Sequence, residues 1–238
     1  MKTTPGSSSA RKLWRGITHL IFPNLCVACG RDALSGGSCF CFQCRRKLSF
    51  STMYELRENE FTQRLWGRLP LVSGAALFHY TRKNPIQYAL HLLKYKNKPE
   101  IGWSIGREFG QKLQQTALYQ GIEVVVPVPL HLQKERTRGY NQSLMFARGI
   151  AEMLAVPVVE QAIVRRTHTR SQTQKKRLER HENVQNVFAL SRPAALEGKH
   201  ILLVDDVLTT GATLEVCGST LLSLSSTRLS CVTIAIAM

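Results

Sequence analysis

Residues 201–213, ILLVDDVLTTGAT, constrain the fold more than any other stretch of this 238-residue chain. An apolar run without polar alternation suits a strand covered on both faces, and such strands belong to parallel sheets flanked by helices. The run ends on Asp205 and Asp206, and a Thr-Thr-Gly turn then leads into a helix start. Ligands of open α/β sheets bind beyond the carboxyl ends of the strands. Two adjacent carboxylates repel each other, and a buried pair without partners is costly. They are tolerable if solvated, or if a ligand brings several hydroxyl donors or a metal. The small residues Thr209, Thr210, Gly211, Ala212 and Thr213 let main-chain N–H groups converge on an anion, and three hydroxyls add donors. A diol on the carboxylates and a phosphate in the turn is the layout of a ribose phosphate.

The rest of the chain fits that sheet. LVSGAALFHY (71–80), IEVVVPVP (122–129), KHILLVDD (199–206) and LSCVTIAIAM (229–238) read as strands. VPVVE (156–160) reads as a further short one. Helices are expected from Asn84-Pro85 to about Tyr95, over 99–120 despite its glycines, from Asn141 to about Leu154, and over 212–225. Asn84 and Asn141 are suitable caps, and Pro85 suits a first turn. Alternating strands and helices predict an α/β fold, a mostly parallel sheet flanked by helices, over 71–238. Residues 51–70 read as a charged, partly helical linker. Residues 1–20 read as a polar tail followed by a short amphipathic helix at 10–22, docked on the body.

Five of the seven cysteines lie within 26–44. Cys26-x-x-Cys29 and Cys41-x-x-Cys44 each form a knuckle that points two thiolates at one spot. Two knuckles make a tetrahedral structural zinc site, so 21–50 is expected to be a small four-cysteine module of the zinc-ribbon kind. Cys39 is a spare that could replace Cys41. A module of this size cannot hold a core alone, so the Zn2+ would supply much of its folding energy. Clustered thiols without a secretory leader fit a reducing, cytoplasmic setting.

The chain carries 32 Lys+Arg against 16 Asp+Glu, a formal charge of +16. That excess fits a polyanionic partner. RRTHTRSQTQKKRLER (165–180) concentrates it, with Arg165, Arg166, Arg170, Lys175, Lys176 and Arg177 as the candidate contacts to a nucleic-acid backbone or pyrophosphate. It holds no aromatic residue for base stacking. No apolar run approaches the ~20 residues of a membrane span.

The stretch Asp205–Thr213 resembles the phosphoribosyl-pyrophosphate (PRPP) motif of type I phosphoribosyltransferases. VVVPVPLHLQKERTRGYNQSLMFA (124–147) and the basic segment from Arg165 to Leu190, behind a paired-cysteine module, resemble the ComF/GntX family of competence-associated proteins. The resemblance runs from about residue 20 to the end. It implies a phosphoribosyltransferase-like fold with an N-terminal zinc module, and a part in DNA uptake during natural transformation. By it, Asp205 and Asp206 face ribose hydroxyls, and Thr209 to Thr213 hold the 5-phosphate. Arg138, with Arg136 and the Gly139 backbone, meets pyrophosphate, and Mg2+ accompanies PRPP. The basic segment is then a loop over the site, and single-stranded DNA and DNA-processing or uptake proteins are the expected partners. One departure counts against purine transfer: Thr209 stands where purine-salvage enzymes carry an acidic general base, and threonine takes no proton at neutral pH. Two readings therefore stand: a DNA-uptake protein that binds a PRPP-like ligand, and an active Mg-dependent phosphoribosyltransferase with an unknown acceptor.

Overall fold

The computed structural model describes residues 25–33, 38–81, 84–130, 132–165 and 188–238. The expected helix at 10–22 and the basic residues Arg166, Arg170, Lys175, Lys176 and Arg177 lie outside them. The elements begin with α1 (Phe42–Arg45), α2 (Glu60–Leu65), β1 (Ser73–Tyr80), α3 (Pro85–Tyr95) and α4 (Pro99–Gln114). Then come β2 (Val124–Pro127), α5 (Leu132–Arg138), α6 (Gln142–Leu154), β3 (Ile163–Arg165) and β4 (Phe188–Leu190). β5 (His200–Leu208), α7 (Ala212–Leu222) and β6 (Arg228–Ala237) complete the order.

Among the described residues the main sheet has four strands in the order β1-β6-β5-β2. All its pairings are parallel, with Ser73 opposite Ser230, Ile201 opposite Leu229 and Val124 opposite Ile201. The apolar runs dictate this, since their side chains are buried on both faces. Val158 adds a single parallel bridge beside Val125, which is all that forms of the short strand expected at 156–160. β3 and β4 make a separate antiparallel ladder that no local pattern announces.

The glycines of α4 explain how it stays helical. Gly106 and Gly149 let α4 and α6 touch backbone to backbone. A Cβ on Gly149 would sit 2.3 Å from the Trp103 carbonyl oxygen, and one on Gly106 2.3 Å from that of Phe146. Phe109 and Phe146 stack beside this contact, with ring centroids 6.2 Å apart.

Residues 51–70 are packed into the body. Phe61 and Leu65, four apart and therefore on one helical face, are fully buried. Asn59 caps α2 by accepting from the N–H groups of Phe61 and Thr62. Its amide also donates to the carbonyls of Met53, Leu56 and Gly74 at 2.8–2.9 Å, which ties α2 to β1.

The cysteine-bearing segment docks on the same body. Arg45 forks onto Glu108 of α4 at 2.6 and 2.9 Å, and Phe50 packs on Phe78. Residues 49–51 run antiparallel to β1, with Ser51 N–H donating to Leu77 O and His79 N–H to Ser49 O, both at 2.9 Å. The outer edge of β1 is thereby covered.

Candidate functional site

The aspartate pair does not end its strand. The ladder with β6 continues to Leu208 opposite Ile236, so Asp205 and Asp206 lie inside β5. Neighbours on a strand face opposite sides, and here each carboxylate meets a different helix. Asp205 Oδ1 accepts from Ser143 Oγ in the first turn of α6 at 2.9 Å, and from the Asp206 N–H at 2.8 Å. Asp206 Oδ2 pairs with Lys94 Nζ near the end of α3 at 2.8 Å. Burial, and then repulsion from Asp206, pushes the Asp205 carboxyl up to about 7. The repulsion expected between adjacent carboxylates is thus met by one lysine on Asp206, one hydroxyl on Asp205 and the raised pKa of Asp205.

The turn after β5 is open to solvent and gripped from behind. Thr209, Thr210, Ala212 and Thr213 are exposed. Gly211 has φ +83° and caps α7, and a Cβ there would lie 2.6 Å from Leu65. Only glycine fits that conformation in that space. Arg64 Nη1 donates to Thr209 O at 3.2 Å and to Ala237 O at 2.6 Å, and Arg68 Nη2 donates to Thr210 O at 2.9 Å. Two guanidinium groups from the linker stretch thus fix the main chain of the turn, each also paired with a glutamate, Arg64 with Glu60 and Arg68 with Glu215. Its N–H groups and hydroxyls stay on the free side, apart from a long bond from Ala212 N–H to Thr210 Oγ1 at 3.4 Å.

The loop after β2 reaches the same end of the sheet. Asn141 caps α6 by accepting from Ser143 N–H at 3.0 Å, and its amide holds Val128 O at 2.9 Å. Gly139 has φ +80°. Arg138 donates to Gln142 Oε1 at 3.0 Å and lies over the Tyr95 ring, 5.3 Å from its centroid. The Tyr140 hydroxyl donates to Leu93 O, which ties the loop to α3. Gln142 is buried, and its Nε2 has no partner at the mouth of α6. Arg165, in contrast, lies over the Phe188 ring at 5.6 Å, on the small ladder.

The other cluster is sulfur. The Sγ atoms of Cys26, Cys29, Cys41 and Cys44 all lie within 4.8 Å of one another, and those of Cys29 and Cys41 are 3.7 Å apart. Thiolates about 2.3 Å from a tetrahedral zinc stand roughly 3.8 Å from each other, so the set fits that ion. The Cys26 N–H donates to Arg31 O and Gly30 N–H to Cys26 O, and Gly30 turns the first knuckle with φ +69°. Burial and then the neighbouring sulfurs push Cys44 up to about 12. Burial opposes ionisation of Cys26, but backbone N–H groups of Cys41, Ala28 and Cys29 outweigh it and bring it to about 7. Four thiols this close ionise together only around a cation. Cys39 stands outside the cluster, half-buried and pushed up to about 12 by burial, so Cys41 is the member of the set.

Over residues 141–237 the sequence matches the phosphoribosyl transferase domain family. It is 25% identical over 207 residues to competence protein F of Haemophilus influenzae, covering 84% of this chain and 85% of that one. It is 32% identical over 151 residues to DNA utilization protein YhgH of Salmonella typhimurium, covering 62% of this chain and 63% of that one. The chain is similar to the ComF family of competence proteins. Competence protein ComFC of Bacillus subtilis is a further relative, 29% identical over 143 residues, covering 60% of this chain and 56% of that protein. The chain thus spans about 63% of the length of the curated relatives it matches first. Among solved structures it is similar to an adenine phosphoribosyltransferase, with a TM-score of 0.40 at 16% identity over 60% of this chain and 74% of that one.

The sequence motif marks Asp205, Asp206 and the turn 209–213. It gives no sign of Lys94, Ser143, Arg64 or Arg68. Lys94, Ser143 and Arg64 are ordinary polar residues on helices, and Arg68 sits in the turn after α2, until the fold carries them to the strand end. Among the described residues no helix is long and apolar enough to cross a membrane.

Proposed function

We propose that this chain serves DNA uptake in natural transformation, as a protein that binds PRPP or another ribose phosphate together with Mg2+. The observation that carries this reading is the turn 209–213, exposed on its donor side and braced through its carbonyls, beside an aspartate pair that already has partners. The 5-phosphate occupies the N–H groups and hydroxyls of Thr209 to Thr213, and the ribose hydroxyls donate to Asp205 and Asp206. Arg138 lies at the mouth of α6, where a pyrophosphate would extend. Structural zinc on Cys26, Cys29, Cys41 and Cys44 holds the N-terminal segment. The basic surface, with Arg165 and the Arg166–Arg177 stretch, meets single-stranded DNA or a DNA-processing or uptake protein. The names of the competence and DNA utilization relatives support this assignment.

A second reading, an active Mg-dependent phosphoribosyltransferase, draws on the same turn. It lacks a base: Thr209 cannot accept the acceptor's proton, and Asp205, held by Ser143 and crowded by Asp206, is engaged elsewhere. Calorimetric titration with PRPP and Mg2+ tests the first reading. Heat of binding is expected from the wild type and none from the Asp205→Asn, Asp206→Asn double variant. Equal binding by both removes the site from β5. Pyrophosphate release from PRPP in the presence of a metabolite extract replaces the first reading with the second.

A further inference from the structure

The basic run at 165–180 contains no ring on which a base could stack, yet α3 carries three in register. Tyr88, His91 and Tyr95 follow one another at intervals of three and four residues, so they share one face of the helix. The opposite face is the buried one, formed by Ile86, Ala89, Leu90 and Leu93. Tyr88 and Tyr95 are 59% and 63% exposed, and the His91 and Tyr95 rings lie 5.1 Å apart. Scattered exposed aromatics are common on surfaces. A continuous row that opens into a cavity of about 700 Å³ is different. Its wall includes Tyr80 from the end of β1, Lys94 from α3 and Thr209 from the turn.

The charge at one end of this row is positive. Arg138 lies over Tyr95, Lys94 lines the cavity, and Lys96 and Lys98 follow in the chain just beyond α3. Lys94 pairs with Asp206 and Lys98 with Glu100 at 3.7 Å, so the net positive charge here comes from Arg138 and Lys96. A row of rings ending in a cluster of cations is the arrangement that binds single strands without reading their sequence: rings take the bases and cations follow the phosphates. Seven residues of helix advance roughly 10 Å, and successive bases of a strand lie about 3.4 Å apart, so the row spans about three to four bases.

We infer that the Tyr88–His91–Tyr95 face of α3 is a stacking platform for about three bases of single-stranded DNA, with Arg138 and Lys94 at its end nearest β5. This rests on the nucleic-acid part of the proposed function and deepens it, because it separates base contact on α3 from backbone contact on the basic run. It also sets the strand beside the ribose-phosphate turn, since Thr209 belongs to both the turn and the cavity wall. A bound ribose phosphate and a bound strand would then compete.

The test is fluorescence anisotropy at low salt on the full, zinc-loaded chain. The probes are a labelled oligothymidylate and an abasic strand of equal length. The wild type is expected to prefer the thymidylate to the abasic strand by about 5- to 100-fold, the range for one stacked base. Tyr88→Ala with Tyr95→Ala should abolish that preference and leave the abasic affinity unchanged. Tyr88→Phe with Tyr95→Phe should keep it, because the ring does the stacking. Replacing Arg165, Arg166, Arg170, Lys175, Lys176 and Arg177 by Gln should instead weaken both probes equally and flatten the salt dependence by roughly 0.7 in log–log slope per lost phosphate contact. If the wild type binds neither probe, the nucleic-acid reading fails, and this inference with it. If the wild type binds but the alanine variant keeps its preference for bases, the inference alone fails and the aromatic face goes to a protein partner.

Discussion

Asp205 offers a measurable consequence of crowding two carboxylates in one strand. Its pKa rises from the usual 3.8 to about 7, through burial first and Asp206 second. Between those values the folded chain holds a proton that the unfolded chain has released. Stability therefore falls as pH rises through this window, and the full penalty is present above about pH 7. Asp205→Asn removes the titration and keeps the geometry, because an amide oxygen still accepts from Ser143 Oγ and the Asp206 N–H. Each pKa unit corresponds to about 1.4 kcal/mol. The wild type should therefore lose on the order of 2 kcal/mol relative to the variant at pH 5.5, and on the order of 4 kcal/mol at pH 8.5. Urea denaturation of both proteins across that range, with zinc in excess and no phosphate ligand, reads the difference between them. Other titrating groups are common to both and cancel. The gap should widen by about 2 kcal/mol between the two pH values and level off above neutrality. A gap that stays constant from pH 5.5 to 8.5 would mean that Asp205 is ionised throughout, and would refute this account of the pair.

Two further outcomes follow from packing and from sulfur. Gly149→Ala should lower stability by at least the 1–3 kcal/mol of an overpacked contact, because both groups it strikes, the Trp103 carbonyl and the Arg107 N–H, are main chain and cannot swing aside; a melting temperature equal to wild type would contradict the close α4–α6 contact. Metal analysis of the wild type is expected to find one zinc per chain, which Cys26→Ser or Cys44→Ser should abolish and Cys39→Ser should retain; zinc retained in Cys44→Ser and lost in Cys39→Ser would reassign the ligands.

The sequence carried the sheet and half the site. Long β-branched runs and asparagine caps are local signals, so β1, β2, β5, β6 and helices α3, α4, α6 and α7 could be read from the letters, whereas α5, Leu132–Arg138, was read as part of a loop. β3 and β4 could not, because each has three residues and 22 residues separate Arg165 from Phe188. The end of β5 was placed two residues early. Aspartates disfavour strands when exposed, and only the β6 ladder and the partners of Asp205 and Asp206 keep this stretch extended. α2 looked like a charged connector because its two buried residues, Phe61 and Leu65, are outnumbered by polar neighbours. In the site, Asp205, Asp206 and the small-residue turn are contiguous and therefore visible. Lys94, Ser143, Arg64 and Arg68 come from other places in the chain, and only the tertiary fold assigns them. The aromatic row on α3 was present in the letters at helical spacing, but that spacing usually marks a buried face, and here the apolar residues between the rings took that role.

The antiparallel segment 49–51 lies directly after the last cysteine turn and occupies the outer edge of β1. That edge is eight residues long and its strand reads SGAALFHY, an apolar sequence with every N–H and C=O along one side in need of a partner. Exposed edges of this kind recruit strands from other molecules. The four sulfurs thus do more than hold a small module together: they keep a cover over the stickiest border of the domain. Removal of the metal proposed for them is expected to free β1 for self-association, at the same end of the parallel sheet as the turn 209–213.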